Sequence, residues 1–466
     1  MVLVQITDMN KQAIWSLRLG FSTAQQDLIS DLGFAGYLAK SFAYNDPMDI
    51  PEFLEGQPMD FQSIRSRRRE LNQLSPEQKA EARREQRQNL RSISLDWIQR
   101  MQGAQFPLRE NMVCFWHNHY VATYQKVKVA PWIFEHYTAL YEQAFGNFRE
   151  LTKTMVKSNA VISYLDNDKN RKGSNNENLS RELLELFTLG IGNYTEADVK
   201  SGAKALAGLT YGNQKGNYRN RQRENEEITY LGKTGFFDSD AIVDIIFEQE
   251  AIPYLITEKI LQWFVYDNPS TALIKEYGDY FREQDFEIQP LLEKIFLTEY
   301  DKNPIASKVK DPLRFALQTI QELHLEDRIE PKQIVTFLRD QSMDLYNQPN
   351  VKGWEGGNSW ITSSILLRRN QVARMLISGE RISKRNVMNR STDPELPDLQ
   401  IPKELENNKQ IIAYLLDQTL TITTPTIQAD LEEILKYDFQ PHKEGSELGI
   451  LRAYEYIITT PEYQVI

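Results

Sequence analysis

The sequence predicts a mainly α-helical protein, a compact multi-helix single unit with little strand. Apolar residues recur at three- and four-residue intervals in long segments such as AIPYLITEKILQWFVYD, which is the spacing of one helical face. The 466 residues, 41% of them hydrophobic and 11% aromatic, are sufficient to bury a large core. The chain shows neither an internal repeat of solenoid period nor coiled-coil heptads. These observations favour packed helices over a solenoid or a coiled coil.

Charge and composition argue against several classes of protein. A formal net charge of −11 argues against general nucleic-acid binding. No apolar run approaches the roughly 18 residues that a transmembrane helix needs. The N-terminal residues lack the basic and long apolar regions that are typical of a signal peptide. The single cysteine, Cys114, excludes an intramolecular disulfide and a cysteine-based zinc site. The compartment stays open.

The first hundred residues are predicted to form short helices and then a long one. Apolar spacing indicates two short helices within residues 10–45. Ser75, Pro76 and Gln78 are typical of an N-cap, a first-turn proline and a capping-box partner. A helix is therefore predicted from Pro76 to about Met101.

This region also carries a concentration of arginines. The seven arginines are Arg65, Arg67, Arg68, Arg69, Arg83, Arg84 and Arg87. The glutamates that partly neutralise them are Glu70, Glu77, Glu81 and Glu85. The pattern has two interpretations, a solvated helical face or a surface that binds phosphate or another polyanion.

The helix predicted after Pro107 ends in the motif FWHNHY, which contains two of the chain's 5 histidines. On a continuous helix, His117 and His119 would point about 200° apart and could not share a metal ion. A helix end or an extended chain would place both on one side. They are candidates for structural hydrogen bonds or for metal binding and proton transfer.

Two further helices are predicted at about 131–145 and 147–163, followed by a polar loop. Asp166 and Asn167 begin this loop and could be simple turn-formers. Because they precede the next helix, Asp166 is also a candidate oxygen donor for a divalent cation.

A central helix is predicted from the stretch NNENLSRELLELFTLG. Its leucines form an apolar face, while Asn178, Glu182 and Glu185 fall on a neighbouring stripe. Arg181 can pair with Glu177 or Glu185, each four residues away. The acidic stripe has two interpretations, a structural network of ion pairs and caps, or the lining of a functional site.

The second half is again predicted to be mainly helical. Residues 211–235 are polar and turn-rich, as in a short hairpin or a lid. Helical periodicity extends from Asp238 to Leu325, with Pro312 at a helix start. Two or three closing helices are predicted after residue 380.

The stretch NVKGWEGGNSW is the second distinctive motif. Its glycines permit tight turns, and two tryptophans flank them. Trp354 and Trp360 could form a platform for a sugar or a peptide, or they could anchor the loop to the core. Arg368 or Arg369, in the helix that follows, could meet the acidic stripe of the central helix.

These motifs resemble one family along nearly the whole chain. NENLSRELLELFTLGIGNYTEADV is similar to the signature of the bacterial domain of unknown function 1800 family. FWHNHY, FGNFRELTKTMVKSNAVISYLDN and NVKGWEGGNSWITSSILLRRN also resemble that family, as do WSLRLGFSTAQQDL and IITTPEYQ near the two ends. The resemblance implies one helical domain over residues 1–466, with a possible sub-division into 1–210, 211–390 and 391–466. It implies no established reaction. Relatives are often exported to the periplasm or cell envelope, so the resemblance is compatible with export, and the location stays unassigned.

The residues of these motifs support the hypothesis of a metal-assisted enzyme. The candidate ligands of a divalent metal ion are His117, His119, Asp166, Glu182 and Glu185. The candidate catalytic residues are His117, His119, Glu182, Glu185 and, as an anion anchor, Arg181. The candidate substrate-binding residues are Asn178, Trp354, Trp360 and Arg368.

Two other functions are kept open. The first is a non-catalytic binding or assembly module. The resemblance implies a partner for it, because relatives often neighbour genes of the domain of unknown function 1501 family, which resembles sulfatases. The second is a module that binds carbohydrate or the cell envelope through Trp354 and Trp360.

Overall fold

In the computed structural model, residues 8–302, 308–380, 396–436, 440, 443 and 445–466 are described. These residues form 22 α-helices and six strands of two or three residues each. The predicted mainly α-helical class is therefore confirmed.

The N-terminal region contains three short helices, one more than predicted, and then two longer ones. The helices are α1 (Lys11–Leu19), α2 (Gln26–Leu32), α3 (Phe34–Ala43), α4 (Phe61–Gln73) and α5 (Pro76–Gly103). The unpredicted break lies at Gly33, whose φ of +67° interrupts the helical path. The capping box predicted at Ser75 and Gln78 begins α5.

Five helices then lead to the central stretch. They are α6 (Leu108–His119), α7 (Tyr124–Val127), α8 (Ala130–Glu142), α9 (Phe148–Val156) and α10 (Asn159–Tyr164). The helix predicted at 147–163 is two helices, because Ser158 adopts an extended conformation between α9 and α10.

The central helix is short and changes type. It consists of α11 (Asn178–Glu182), continued directly by a π-helix (Leu183–Thr188). It is followed by α12 (Glu196–Ala205), which begins at a capping box of Thr195 and Asp198.

The strands form three small antiparallel pairs. They are β1 (Asp8–Met9) with β6 (Ile422–Thr423), β2 (Leu209–Thr210) with β3 (Asn217–Tyr218), and β4 (Ile228–Tyr230) with β5 (Lys233–Gly235). Asp8 lies opposite Thr423, Leu209 opposite Tyr218, and Ile228 opposite Gly235. A hairpin, one of the two predictions for residues 211–235, is therefore present within that segment.

The remaining chain is helical, as its periodicity predicts. The helices before residue 380 are α13 (Ser239–Phe247), α14 (Ile252–Phe264), α15 (Thr271–Glu283), α16 (Ile288–Asp301), α17 (Pro312–Glu322), α18 (Pro331–Asp340) and α19 (Ser363–Ile377). The closing helices are α20 (Asn408–Thr419), α21 (Pro425–Ile434) and α22 (Ser446–Thr459).

One buried apolar cluster extends from Ile14 in α1 to Tyr463 near the C-terminus. It includes large rings such as Trp97 and Trp116, which are nearly inaccessible to solvent. Of the boundaries proposed above, that between residues 390 and 391 lies outside the described residues. Within the described ranges, none of the helices combines the length and the apolar character that crossing a bilayer requires.

Candidate functional site

Two of the distinctive motifs meet at the C-terminal end of α6. The side-chain oxygen of Asn118, in FWHNHY, accepts the backbone N–H of Trp354 at 2.7 Å. Gly353 packs so closely that a Cβ atom there would overlap Asn118 Oδ1 and lie 2.6 Å from its carbonyl oxygen. Gln348 Nε2 also donates to the carbonyl of His117 at 3.1 Å. The segment around Gly353 is thus docked onto the end of α6.

This docked turn brings Lys352 to the central helix. The side-chain oxygen of Asn350 accepts the N–H of Lys352 at 2.8 Å, and its carbonyl accepts the N–H of Gly353 at 3.2 Å. Lys352 lies close enough to Glu182 for its charge to lower the pKa of that carboxyl. A third motif therefore joins the other two.

Glu182 and Glu185 occupy contrasting environments. Burial raises the pKa of Glu182 above its ordinary value, and the charge of Glu185 raises it further, against the opposing effects of Arg181 and Lys352. Glu185 accepts a hydrogen bond from the hydroxyl of Tyr194 at 2.7 Å. Glu182 is half-buried, and its carboxylate has no hydrogen bond or ion pair with another described residue.

Tyr164 completes this group, because the charge of Glu182 adds to burial in raising the pKa of its hydroxyl. We call the group of Tyr164, Glu182, Glu185, Tyr194 and Lys352 the acidic site.

The acidic site lies where α11 becomes the π-helix. Leu189 N–H bonds to the carbonyl of Leu184, five residues earlier, at 3.0 Å. In this wider turn, a backbone carbonyl accepts a hydrogen bond from a side chain. Lys259 Nζ donates to the carbonyl of Leu186 at 2.9 Å. Short π-helical segments occur frequently at functional sites.

His119 supports the same π-helix. Its Nε2 lies 3.1 Å from the carbonyl of Phe187, so Nε2 carries the proton, and Nδ1 accepts from Lys259 at 3.2 Å. Burial, reinforced by the charge of Lys259, lowers the pKa of His119 well below its ordinary value. Burial also lowers the pKa of Lys259 to about 8. Both ring nitrogens of His119 thus make structural hydrogen bonds.

His117 lies in a separate aromatic environment. Its ring centroid is 4.5 Å from that of Tyr346 and 5.3 Å from that of Trp97. Neither ring nitrogen has a hydrogen-bond partner among the described residues. Because α6 stays regular through His119, the two histidines point in different directions, as a continuous helix requires.

The predicted metal ligands do not gather around one point. Asp166 pairs with Lys126 at 2.9 Å and with Lys169 at 2.6 Å. Across the described ranges, no group of three or more His, Cys, Asp and Glu side chains is arranged to hold a metal ion. The candidate metal ligands predicted from the sequence therefore contact separate partners.

The other predicted site residues are also placed individually. Arg181 donates to both carboxylate oxygens of Glu196 at 2.6 and 2.8 Å and to Glu177 at 3.1 Å, rather than to Glu185. Arg368 pairs with Asp340 at 3.5 Å and does not meet the acidic stripe.

Asn178 is exposed at the start of α11, and its N–H donates to the side chain of Asn176 at 3.0 Å. Trp354 and Trp360 are each only 5% exposed. Their faces are not presented to solvent, so the geometry favours the anchoring role over a sugar or peptide platform.

A family model described as Protein of unknown function (DUF1800) matches residues 12–465, nearly the whole chain. The chain belongs to this family. No curated protein and no solved structure matches it. The family assignment confirms the resemblance seen in the motifs, and it carries no reaction.

Four residues that shape the site of this DUF1800 family member were not predicted from the sequence: Tyr164, Tyr194, Lys259 and Lys352. Lys352 and Tyr194 lie inside two of the quoted motifs, NVKGW and GIGNYTEADV, in which glycines and carboxylates are the more distinctive residues. Lys259 is a lysine within the apolar helix α14. The position of Lys259 among apolar residues is the one feature of the sequence that could have indicated a buried partner for its charge.

Proposed function

We propose that this DUF1800 family member is an enzyme in which Glu182 acts as a general acid or base. The observation that carries the proposal is a half-buried carboxyl with a raised pKa and no hydrogen-bond or ion-pair partner among the described residues. Such a group holds a proton closer to neutral pH than an ordinary glutamate does. It is also free to exchange that proton with a bound molecule.

The neighbours of Glu182 supply complementary roles. Glu185 provides a second carboxylate. It accepts a hydrogen bond from the hydroxyl of Tyr194, whereas the Glu182 carboxylate accepts none from a described residue. Lys352 provides a positive charge that would pair with an anionic group of the substrate. The proposed reaction class is acid–base catalysis on a substrate that carries such an anionic group.

The side-chain geometry gives little support to the metal-assisted reaction suggested by the sequence. His117 and His119 make different contacts, and Asp166 is occupied by two lysines. Acid–base catalysis by Glu182 needs only the residues that the acidic site brings together, so we assign no metal to it.

The test is turnover of a library of chromogenic esters, phosphate esters and glycosides by the wild type and by Glu182→Gln. We expect Glu182→Gln to lower kcat by about 100-fold or more, because it removes the proton that is transferred. The matched control is Glu177→Gln, which removes the carboxylate at the N-cap of the same helix and weakens only a partly exposed ion pair with Arg181. The control should keep kcat within about twofold. Equal activities of the two variants would contradict the role of Glu182.

A second measurement tests the raised pKa without a substrate. A carboxyl whose folded pKa is raised contributes stability that is present below the unfolded pKa, about 4.5, and is lost as the pH rises through the folded pKa. Glu182→Gln should therefore gain stability relative to wild type as the pH rises above about 4.5, as measured by urea unfolding. A constant difference between the two proteins at all pH values would contradict the proposal.

The assembly function remains the competing prediction, with a sulfatase-like protein as partner. It is favoured by the structural bonds of His119, Arg181 and Asp166, since a module without catalysis would use these residues in that way. This alternative would be favoured by no turnover in the library, together with a stability difference between wild type and Glu182→Gln that does not change with pH.

A further inference from the structure

A cleft lies between the α4–α5 hairpin and the beginning of α8. Its volume is ≈ 560 Å³. That size falls within the range of small-molecule sites. Five cationic side chains line it: Arg67, Arg68, Lys79, Arg83 and Lys128.

The charge of this cleft is largely uncompensated. Among the described residues that line it, Glu85 is the one carboxylate, and it pairs with Arg67 at 3.7 Å. Arg68, Lys79 and Arg83 make no ion pair with a described residue. Like charges gathered in a concave surface repel one another, and an anion bound between them would relieve that repulsion.

The backbone adds to the positive potential. Helix α8 is 13 residues long, and its N-cap and first residues, Val129 to Pro131, line the cleft. No side chain of a described residue caps this end. Pro131 has no N–H, but the N–H of Ala130 and the helix dipole still favour a negative charge at this end.

The same cleft has an apolar wall. Its apolar lining residues are Pro58, Ile64, Leu71, Ala82, Val129, Ala130 and Pro131. A ligand that fits this lining carries negative charge at one end and a ring or an aliphatic portion at the other. An inorganic anion would leave the apolar wall without a partner.

We propose that this cleft binds an organic phosphate. The phosphate oxygens lie against Arg68, Arg83 and the first turn of α8, and the organic portion packs on Ile64 and Leu71. The same chemistry is found in a free phosphorylated metabolite and in a phospholipid headgroup. The cleft is formed by the α4–α5 hairpin and the start of α8, and the binding proposed for it is independent of the function proposed for Glu182.

The experiment measures binding by the full chain at low salt. Adenosine diphosphate and pyrophosphate are titrated calorimetrically, and phosphatidylcholine vesicles containing phosphatidylglycerol are tested by co-sedimentation. The cleft variant is Arg68→Ala/Arg83→Ala. The matched control is Arg69→Ala/Arg84→Ala, which removes the same charge from the same two helices at positions that do not line the cleft.

We expect the cleft variant to lose about tenfold or more in affinity and the control to lose about twofold or less. Tighter binding of adenosine diphosphate than of pyrophosphate supports the apolar wall. Binding of the soluble probe alone assigns a free phosphate, and binding of the vesicles alone assigns a lipid headgroup.

Two results would overturn the proposal. One is failure of the wild type to bind any probe at about millimolar concentration. The other is an equal loss in both variants, which would show attraction by net charge alone. Because all four arginines are exposed, circular dichroism and thermal melting should show that both variants remain folded.

Discussion

At the scale of single residues, His117 is a buried polar side chain that lacks hydrogen-bond partners among the described residues. The side chain is 1% exposed, and neither ring nitrogen has a partner among the described residues. Burial, with a smaller contribution from His136, lowers the pKa of His117 well below its ordinary value. A buried polar group without a hydrogen bond costs about 1–3 kcal/mol. The ring of His117 thus contributes through its packing against Tyr346 and Trp97 rather than through its nitrogens.

The substitution His117→Phe should therefore not destabilise the protein, although His117 is buried. The substitution keeps a planar ring and removes two unpaired nitrogens, so at about pH 7.5 it should leave stability unchanged or increase it by about 1–2 kcal/mol. The gain should grow at lower pH. Below the unfolded pKa of about 6.5, unfolded wild type binds a proton that the folded protein does not, which costs wild type about 1.4 kcal/mol per pH unit.

Urea unfolding at about pH 7.5 and about pH 5 measures this difference. The control is His324→Asn, which replaces a histidine on the exposed surface. A loss of stability by His117→Phe at both pH values would mean that the histidine ring itself is required.

At the scale of elements, the turn at Gly353 determines where Lys352 lies. Gly353 has φ of +87°, a conformation that L side chains rarely adopt, and it touches Asn118 directly. Gly357, a few residues later, has φ of +52°, and a Cβ atom added there would meet nothing within 4 Å. The two glycines therefore share a backbone requirement, and only Gly353 has a packing requirement.

The pair allows a controlled test of this turn. Gly357→Ala should cost about 1 kcal/mol, which is the cost of the left-handed conformation alone. Gly353→Ala should cost about 2–5 kcal/mol, since overlap with Asn118 adds to that conformation. Chemical unfolding of the two variants measures the difference. Equal costs would contradict the close docking of this turn onto α6.

At the scale of the whole molecule, buried polar contacts join distant parts of the chain. Arg314 Nε donates to the carbonyl of Leu17 at 2.7 Å, and its Nη2 donates to Asn111 Oδ1 at 3.0 Å. Arg369 donates to the side chain of Gln464 at 2.8 Å. These contacts link all three segments of the sub-division considered from the sequence. We infer that the segments unfold together.

The expected result is a single urea transition, with coincident midpoints by circular dichroism and tryptophan fluorescence. Arg314→Leu should lower the free energy of unfolding by about 3–5 kcal/mol, because it leaves buried Asp311 without its ion-pair partner, and the transition should stay single. Arg374→Leu is the control, since its ion pair with Glu455 is exposed and should contribute about 1 kcal/mol or less. Two separated transitions would instead support independent domains.

The sequence alone determined the helical class, the family and the helix starts that capping residues or proline mark, such as those at Ser75 and Pro312. Helical periodicity and capping boxes involve residues three or four positions apart, so the chain carries that information locally. The same periodicity identified Glu182 and Glu185 as neighbours on one stripe. It could not show that Arg181 selects Glu196, because that contact depends on how α12 packs against α11.

The tertiary structure decided which of the candidate residues come together. It separated His117 from His119 and buried Trp354, and it brought Lys352 to Glu182 across 170 positions of sequence, the difference between the two residue numbers. Hydrogen-bond partners, burial and pKa shifts depend on atoms that approach through space. Such approaches arise from the packing of the whole core, and no local pattern of residue types specifies them.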